Sequence, residues 1–185
     1  MRKIEKPKEG EYPAYAIMYM KLIPDDGMLL KHLSDGFDTI KKLILSLPPE
    51  KLLCRYANNK WTIKEVLVHL IDDERIYAYR ALCFARNEKI PLPGFEQDDY
   101  ISASNANERS VENILQEYEA VRKATIALYE GLDDTAFLRS GIANNNKATV
   151  RALGYHIAGH ELHHLNIIKE KYLTLMDANG NANGR

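Results

Sequence analysis

Four of the six histidines, His156, His160, His163 and His164, fall within nine residues near the C-terminus. Neutral imidazole is the commonest protein ligand for metal ions, so a cluster this dense is first a candidate for chelating a divalent metal. On a helix advancing about 100° per residue, His164 lies about 40° from His160. Leu153, Ile157, Ile167, Ile168 and Leu175 share that side, their directions centring near 60°. His160 and His164 therefore point inward as an i, i+4 pair, the spacing by which one helix presents two imidazoles to one ion. His156 and His163, at about 320° and 300°, fall toward the edge of the same face, placed for solvent or for a layer around the ligands.

Two imidazoles rarely hold a catalytic metal alone, and a third inward histidine stands on another helical segment. His69 borders the apolar stripe of Val66, Leu70, Tyr77 and Phe84 in TIKEVLVHLIDDERIYAYRAL, accompanied by Asp73 at about 40° and Arg80 at about 20°. Asp73 is placed to orient a histidine ligand or to take a proton, with Arg80 beside it; the two could equally neutralise each other as an ion pair. A solitary inward histidine is more often a hydrogen-bonded core residue, but three adjacent ones without a metal must each be desolvated and satisfied separately. The expected ligands are His69, His160 and His164, and His32 is read as a helix-face residue with no part in the site. Cys54 and Cys83 lack the paired spacing of a closed structural zinc site, so the triad is expected to leave coordination positions open for chemistry.

The string His160-Glu161-Leu162-His163-His164 also spells His-Glu-x-x-His, the zinc-peptidase signature in which the glutamate is the base. Its longer continuation is missing, because Leu165, Asn166, Ile167 and Ile168 follow instead of a glycine and a third histidine. Glu161 also lies about 100° from His160, off the line of both ligands. A peptidase is not the favoured reading.

Four segments with helical periodicity must position these residues, and no alternating strand pattern competes with them. The first runs from about Asp25 to Leu47 and stops at Pro48-Pro49. The second opens with the capping box Thr62–Glu65 and reaches about Asn87. The third spans about Asn107 to Gly131, and the fourth about Thr149 to between Tyr172 and Met176. The predicted fold is all-α, a four-helix bundle in a single domain of residues 1–176. Residues 1–24, rich in tyrosine, are expected to lie across the bundle as a covering segment, and 177–185 to form a disordered polar tail. The long connection containing PLPGFEQDDY is expected to cover a surface or to serve function. Ala158, Leu162 and Leu165 make a further apolar strip on the fourth helix, to be covered by the N-terminal segment or by a second copy.

Composition sets the remaining bounds. The chain has 185 residues, 25 Lys+Arg against 26 Asp+Glu, and a net charge of -1, which gives no global attraction for a phosphate backbone. No nucleic-acid partner is expected. No apolar run approaches the length of a membrane span or of a secretory signal, so a soluble cytoplasmic protein with reduced cysteines is expected.

The segments WTIKEVLVHLIDDERIYAYRAL, GFEQDDY and VRALGYHIAGHELHHLNIIKEKY together resemble the DinB-like superfamily, in the branch that contains YfiT-type metal-dependent hydrolases. The resemblance covers roughly Tyr12 to Tyr172. It implies a four-helix bundle, frequently homodimeric, holding nickel or zinc through three histidines that fall here on His69, His160 and His164. It further implies hydrolysis of a small-molecule substrate or S-transfer from a low-molecular-weight thiol. A non-catalytic dimeric protein that binds metal or ligand, as in a stress response, is the alternative.

Overall fold

We describe residues 2–174 of the computed structural model. A 3-10 turn at Ala14–Ala16 runs into the short helix α1 (Ile17–Met20). There follow α2 (Leu29–Leu45), α3 (Ile63–Ala85), α4 (Gln97–Ala103) and α5 (Val111–Glu130). A hairpin of β1 (Ser140–Ala143) and β2 (Asn146–Thr149) precedes α6 (Val150–Ile167), whose last turns, Ile168–Leu173, wind as π-helix. The four long helices form the expected bundle, and no helix of the described residues is long and apolar enough to cross a membrane.

The helix starts are written in side chains. Thr62 Oγ1 accepts from Glu65 N at 3.1 Å while Glu65 accepts from Thr62 N at 2.7 Å, completing the capping box of α3. Thr149 caps α6 and Ser110 caps α5 in the same way, each taking the free N–H three residues on. Helix α2 begins at Leu29 rather than at Asp25, because Gly27 turns through a positive φ of 71° and Asp26 accepts from Met28 N. Helix α5 begins at Val111 rather than near Asn107, since Asn105 has φ of 56° and only a single 3-10 turn, Ala106–Glu108, follows it.

Two features depart from the expected pattern. The hairpin pairs Ser140 with Thr149 and Ala143 with Asn146 around a turn in which Asn144 and Asn145 both have positive φ, a short local device with no long alternation to announce it. The long connection after α3 carries α4, seven residues that stand beside the site described below.

The core is divided. One apolar cluster gathers the N-terminal strap, the start of α2, the end of α3 and the first half of α6, including Ala16, Met20, Leu29, Phe84, Tyr129 and Tyr155. The other gathers the end of α2, the start of α3 and α5, and the end of α6, including Ile40, Leu67, Ile114, Leu165 and Ile168. Between them lies a layer of buried polar groups: His69, Asp73 and Glu74 from α3, Arg122 and Thr125 from α5, and His156, His160 and Glu161 from α6. Burying so many ionisable groups is costly unless they are paired or hold an ion. The bundle is assembled around this layer.

The N-terminal segment packs across α6. A Cβ on Gly159 would stand 2.4 Å from the Tyr19 carbonyl oxygen, so glycine is what admits the strap backbone there. Glu11 ties the segment down through Thr149 Oγ1 at 2.9 Å and an ion pair with Arg151, and Tyr155 donates to the Ile4 carbonyl at 2.9 Å. Ala158 joins the cluster that contains Ala16 and Met20, Leu165 joins the other, and Leu162 packs against both. The strip on α6 is thus covered largely within the chain. Residues 177–185, expected as a disordered tail, lie outside the described residues.

Candidate metal centre

His69 stands in the middle of α3, and α6 brings His160 and His164 to face it. Nε2 of His160 lies 3.1 Å from Nε2 of His69 and 3.1 Å from Nε2 of His164. Ligands about 2.0–2.1 Å from one ion, at angles between 90° and the tetrahedral value, stand roughly 2.9–3.4 Å apart, so both of these spacings are compatible with a shared metal. His69 and His160 are buried and His164 is half-buried. Burial, reinforced by the neighbouring imidazoles, pushes His69 down to about 4 and His164 down to about 2. Both rings are therefore neutral at physiological pH, the state that a metal ligand requires.

Asp73, one turn along α3 from His69, backs the triad. Its Oδ2 lies 3.2 Å from His160 Nδ1 and 3.5 Å from His156 Nε2. Neither ring N–H is aligned well enough to make a full hydrogen bond, so this deeply buried oxygen has no aligned donor among the described residues. Burial alone would raise the Asp73 carboxyl, but His160 and His156 outweigh it and hold the group well below the usual carboxylate range. The carboxylate favours a proton on His160 Nδ1, which leaves the Nε2 lone pair turned toward His69 and His164. Asp73, His156 and His160 also make a second close set of candidate metal ligands.

His156 is deeply buried and not at an exposed edge. Its ring stacks on Tyr77 at 3.8 Å with 3° between the planes, and the edge of Tyr19 meets it at 4.9 Å. The helical wheel placed it near the boundary because the wheel does not contain the strap, and it is the strap that encloses this flank. Tyr19 also meets His160 and His163, at 5.4 and 5.6 Å. His163 is half-buried on the outer side of the cluster. Arg80 is not with the three histidines: it donates to the Pro93 carbonyl at 3.0 Å, packs over Tyr77 and makes no ion pair with Asp73. His32 lies apart, bonded to Asp26 at 3.0 Å.

Glu161, adjacent to His160 in sequence, turns away from the histidines toward α5. It accepts from Tyr118 at 2.6 Å and from Arg122 at 2.6 Å, and Arg122 also grips Glu74 at 2.8 Å and the Leu33 carbonyl. Gly36 makes room for this carboxylate, since a Cβ there would stand 1.9 Å from Glu161 Oε1. Burial raises the Glu161 carboxyl. Burial would lower Arg122, but Glu161 and Glu74 outweigh it and hold the guanidinium well above its ordinary value. Committed to this network, Glu161 is not available as the base that His-Glu-x-x-His would suggest. One side of the polar layer gathers imidazoles and the other locks α2, α3, α5 and α6 together.

The triad opens outward at His164, which lines a cavity of about 280 Å³ between the loop before α3, the first turn of α4 and the end of α6. Trp61, the only tryptophan, stands in this wall with its ring 4.7 Å from His69 and 6.5 Å from His164. Tyr172 fixes it by donating to the Trp61 carbonyl at 2.6 Å. Trp61 and Tyr19 are not among the site candidates drawn from sequence, whereas the start of α4 lies in PLPGFEQDDY, the connection expected to cover a surface or serve function. For Trp61 the one local signal is its position immediately before a capping box.

The DinB superfamily model matches residues 32–168 of this sequence. A protein of Oceanobacillus iheyensis named "Putative metal-dependent hydrolase" is 27% identical over 142 residues, which is 76% of this chain and 81% of that protein. Among solved structures, YfiT from Bacillus subtilis, described as "a probable metal-dependent hydrolase with an unusual four-helix bundle topology", superimposes with a TM-score of 0.75 at 17% identity. The match covers 93% of this chain and 94% of that one, and shows a shared fold.

Proposed function

The chain belongs to the DinB superfamily, and from that premise we propose that it is a metal-dependent hydrolase of a small molecule, its divalent ion held by His69, His160 and His164. The observation that carries the reading is His160 Nε2 standing 3.1 Å from the Nε2 atoms of both His69 and His164, the three within 4.8 Å of one another, in front of a buried carboxylate without an aligned donor. The name of the Oceanobacillus relative supports the reaction class. Three imidazoles and no thiolate suit nickel or zinc. When bound, such an ion supplies Lewis acidity and lowers the pKa of a coordinated water.

The chain's own residues do the rest. Asp73 faces Nδ1 of His160 at 3.2 Å and favours the proton there, leaving Nε2 for the ion, and His156, stacked on Tyr77, stands 3.5 Å from the same carboxylate oxygen. The desolvated surroundings of His69 and His164 keep both rings unprotonated. Tyr19 closes the inner flank, so substrate approaches from the side of Trp61 and His164. Arg80 and Glu161 are engaged elsewhere and Asp73 lies behind His160, on its Nδ1 side, which leaves proton transfer to water or to the substrate's own groups.

The test is protein purified without an affinity tag, loaded with nickel or zinc and assayed on small esters, amides and lactones, and in parallel on thiol plus electrophile. Metal-dependent hydrolysis lost in His69→Ala is expected. Turnover only with a thiol would replace the hydrolase with an S-transferase, and metal-loaded protein inert in both panels would favour the binding-protein alternative. The expected cytoplasmic homodimer belongs to the same proposal through the family resemblance. A light-scattering mass near twice 21.2 kDa would support the dimer.

A further inference from the structure

The cavity at the triad carries a charge pattern as well as a position. Its wall carries Tyr56, Trp61, Tyr172 and Ile167 beside the polar Asn59 and Gln97, with the Tyr56 and Tyr172 rings edge to face at 4.9 Å. Its rim is bipolar. Lys60 stands on the loop before α3 and Asp98 on the first turn of α4, both exposed. Neither side chain has an ion-pair or hydrogen-bond partner among the described residues, whereas nearby Arg55 is committed to Glu65 at 2.8 Å. A free cation and a free anion flanking one aromatic slot match a ligand that carries both charges. At about 280 Å³ the cavity lies at the small end of ligand pockets, near the lower limit of about 300 Å³.

We propose that this cavity is the substrate pocket and that it selects a compact zwitterion, its flat or apolar body against Trp61, Tyr56 and Tyr172 and its opposite charges at Lys60 and Asp98. This rests on the metal reading above, because the reacting end of the ligand is turned toward His164 and the triad. Trp61 holds the body of the ligand by stacking, and Tyr172 keeps Trp61 in place. The aromatic wall supplies affinity, and the two rim charges supply selection.

The experiment uses the full chain loaded with zinc, and three hydroxamates that bind metal through the same head group. Acetohydroxamate has no body, benzohydroxamate has a flat body, and the aryl hydroxamate of 4-carboxyphenylalanine adds an amino-acid zwitterion at the far end. Dissociation constants come from calorimetry and from the fluorescence of Trp61. Each step of the series should tighten binding about tenfold, and the second gain should vanish in the double variant Lys60→Met, Asp98→Asn while the first persists. A zwitterion bound no better than benzohydroxamate would overturn the proposal. So would a second gain lost on changing Lys60 alone and untouched by Asp98→Asn, which would mark an anionic ligand. Equal binding of acetohydroxamate and benzohydroxamate would remove the aromatic slot. Failure of the metal reading shows separately, as wild-type protein that takes up no zinc before any hydroxamate is added.

Discussion

Acid should destabilise the metal-free protein earlier and more steeply than its carboxylates alone would allow. In the unfolded chain an imidazole takes its proton near 6.5, whereas His69 in the folded protein does so only at about 4. Between those values the unfolded chain binds the extra proton, so lowering the pH favours unfolding by about 1.4 kcal/mol per unit for one such group. Across the window His69 therefore removes about 3 kcal/mol, and His164, shifted in the same direction to about 2, adds to the loss. The two contributions are not additive, because these imidazoles also repel one another when charged. At roughly 2–4 °C per kcal/mol for a domain of this size, the His69 share alone corresponds to a fall of about 10 °C. The assay is thermal or urea unfolding of chelator-treated protein at half-unit steps from pH 7.5 to 4, alongside His69→Phe. Asp73, Glu65 and Glu117, whose carboxyls are held low, lose their contribution mainly below about pH 4.5, and the variant retains all of them. The pH slope between 6.5 and 4 should be shallower in His69→Phe by up to one proton. Equal slopes would refute the claim that the folded chain holds a neutral, desolvated imidazole there.

Asp73→Asn should weaken metal binding about 10–100-fold in a competition titration against a chelator. Wild-type affinity would show that the carboxylate does not orient His160. Arg122→Met should cost about 3–5 kcal/mol in urea unfolding, because Glu74 and Glu161 are left buried without their cation. A loss under 1 kcal/mol would mean that those carboxyls are already protonated. Gly159→Val should displace the strap from α6, with a cost of about 1–3 kcal/mol and faster proteolysis around residues 14–20. Unchanged proteolysis would show that the strap is held elsewhere.

The four long helices were legible because their boundaries are encoded locally, by Thr62 with Glu65, by Pro48-Pro49 and by Gly131, and because apolar stripes at helical spacing need a common core. The meeting of His69 with His160 and His164 was legible for the same reason, since direction around a helix follows from residue number alone. What escaped depends on partners distant in sequence. Nothing near Glu161 announces Arg122, 39 residues away on α5, or Gly36 on α2, and their meeting turns a peptidase-like motif into a structural network. The burial of His156 is set by Tyr19 in the strap, 137 positions earlier, and by the flat face of Tyr77. Arg80 reaches the Pro93 carbonyl in the long connection instead of the carboxylate one helical face suggested. The hairpin and α4 are too short to carry a periodicity, and only the paired asparagines at 144 and 145 mark the turn.

The central claim is that one divalent ion sits among His69, His160 and His164. The most direct measurement is an anomalous difference map, recorded at the absorption edge of zinc or nickel, from a crystal of untagged, metal-loaded protein. The account predicts one peak per chain, about 2.0–2.2 Å from the three Nε2 atoms. A peak between Asp73, His156 and His160, or no peak within reach of His69, would contradict it.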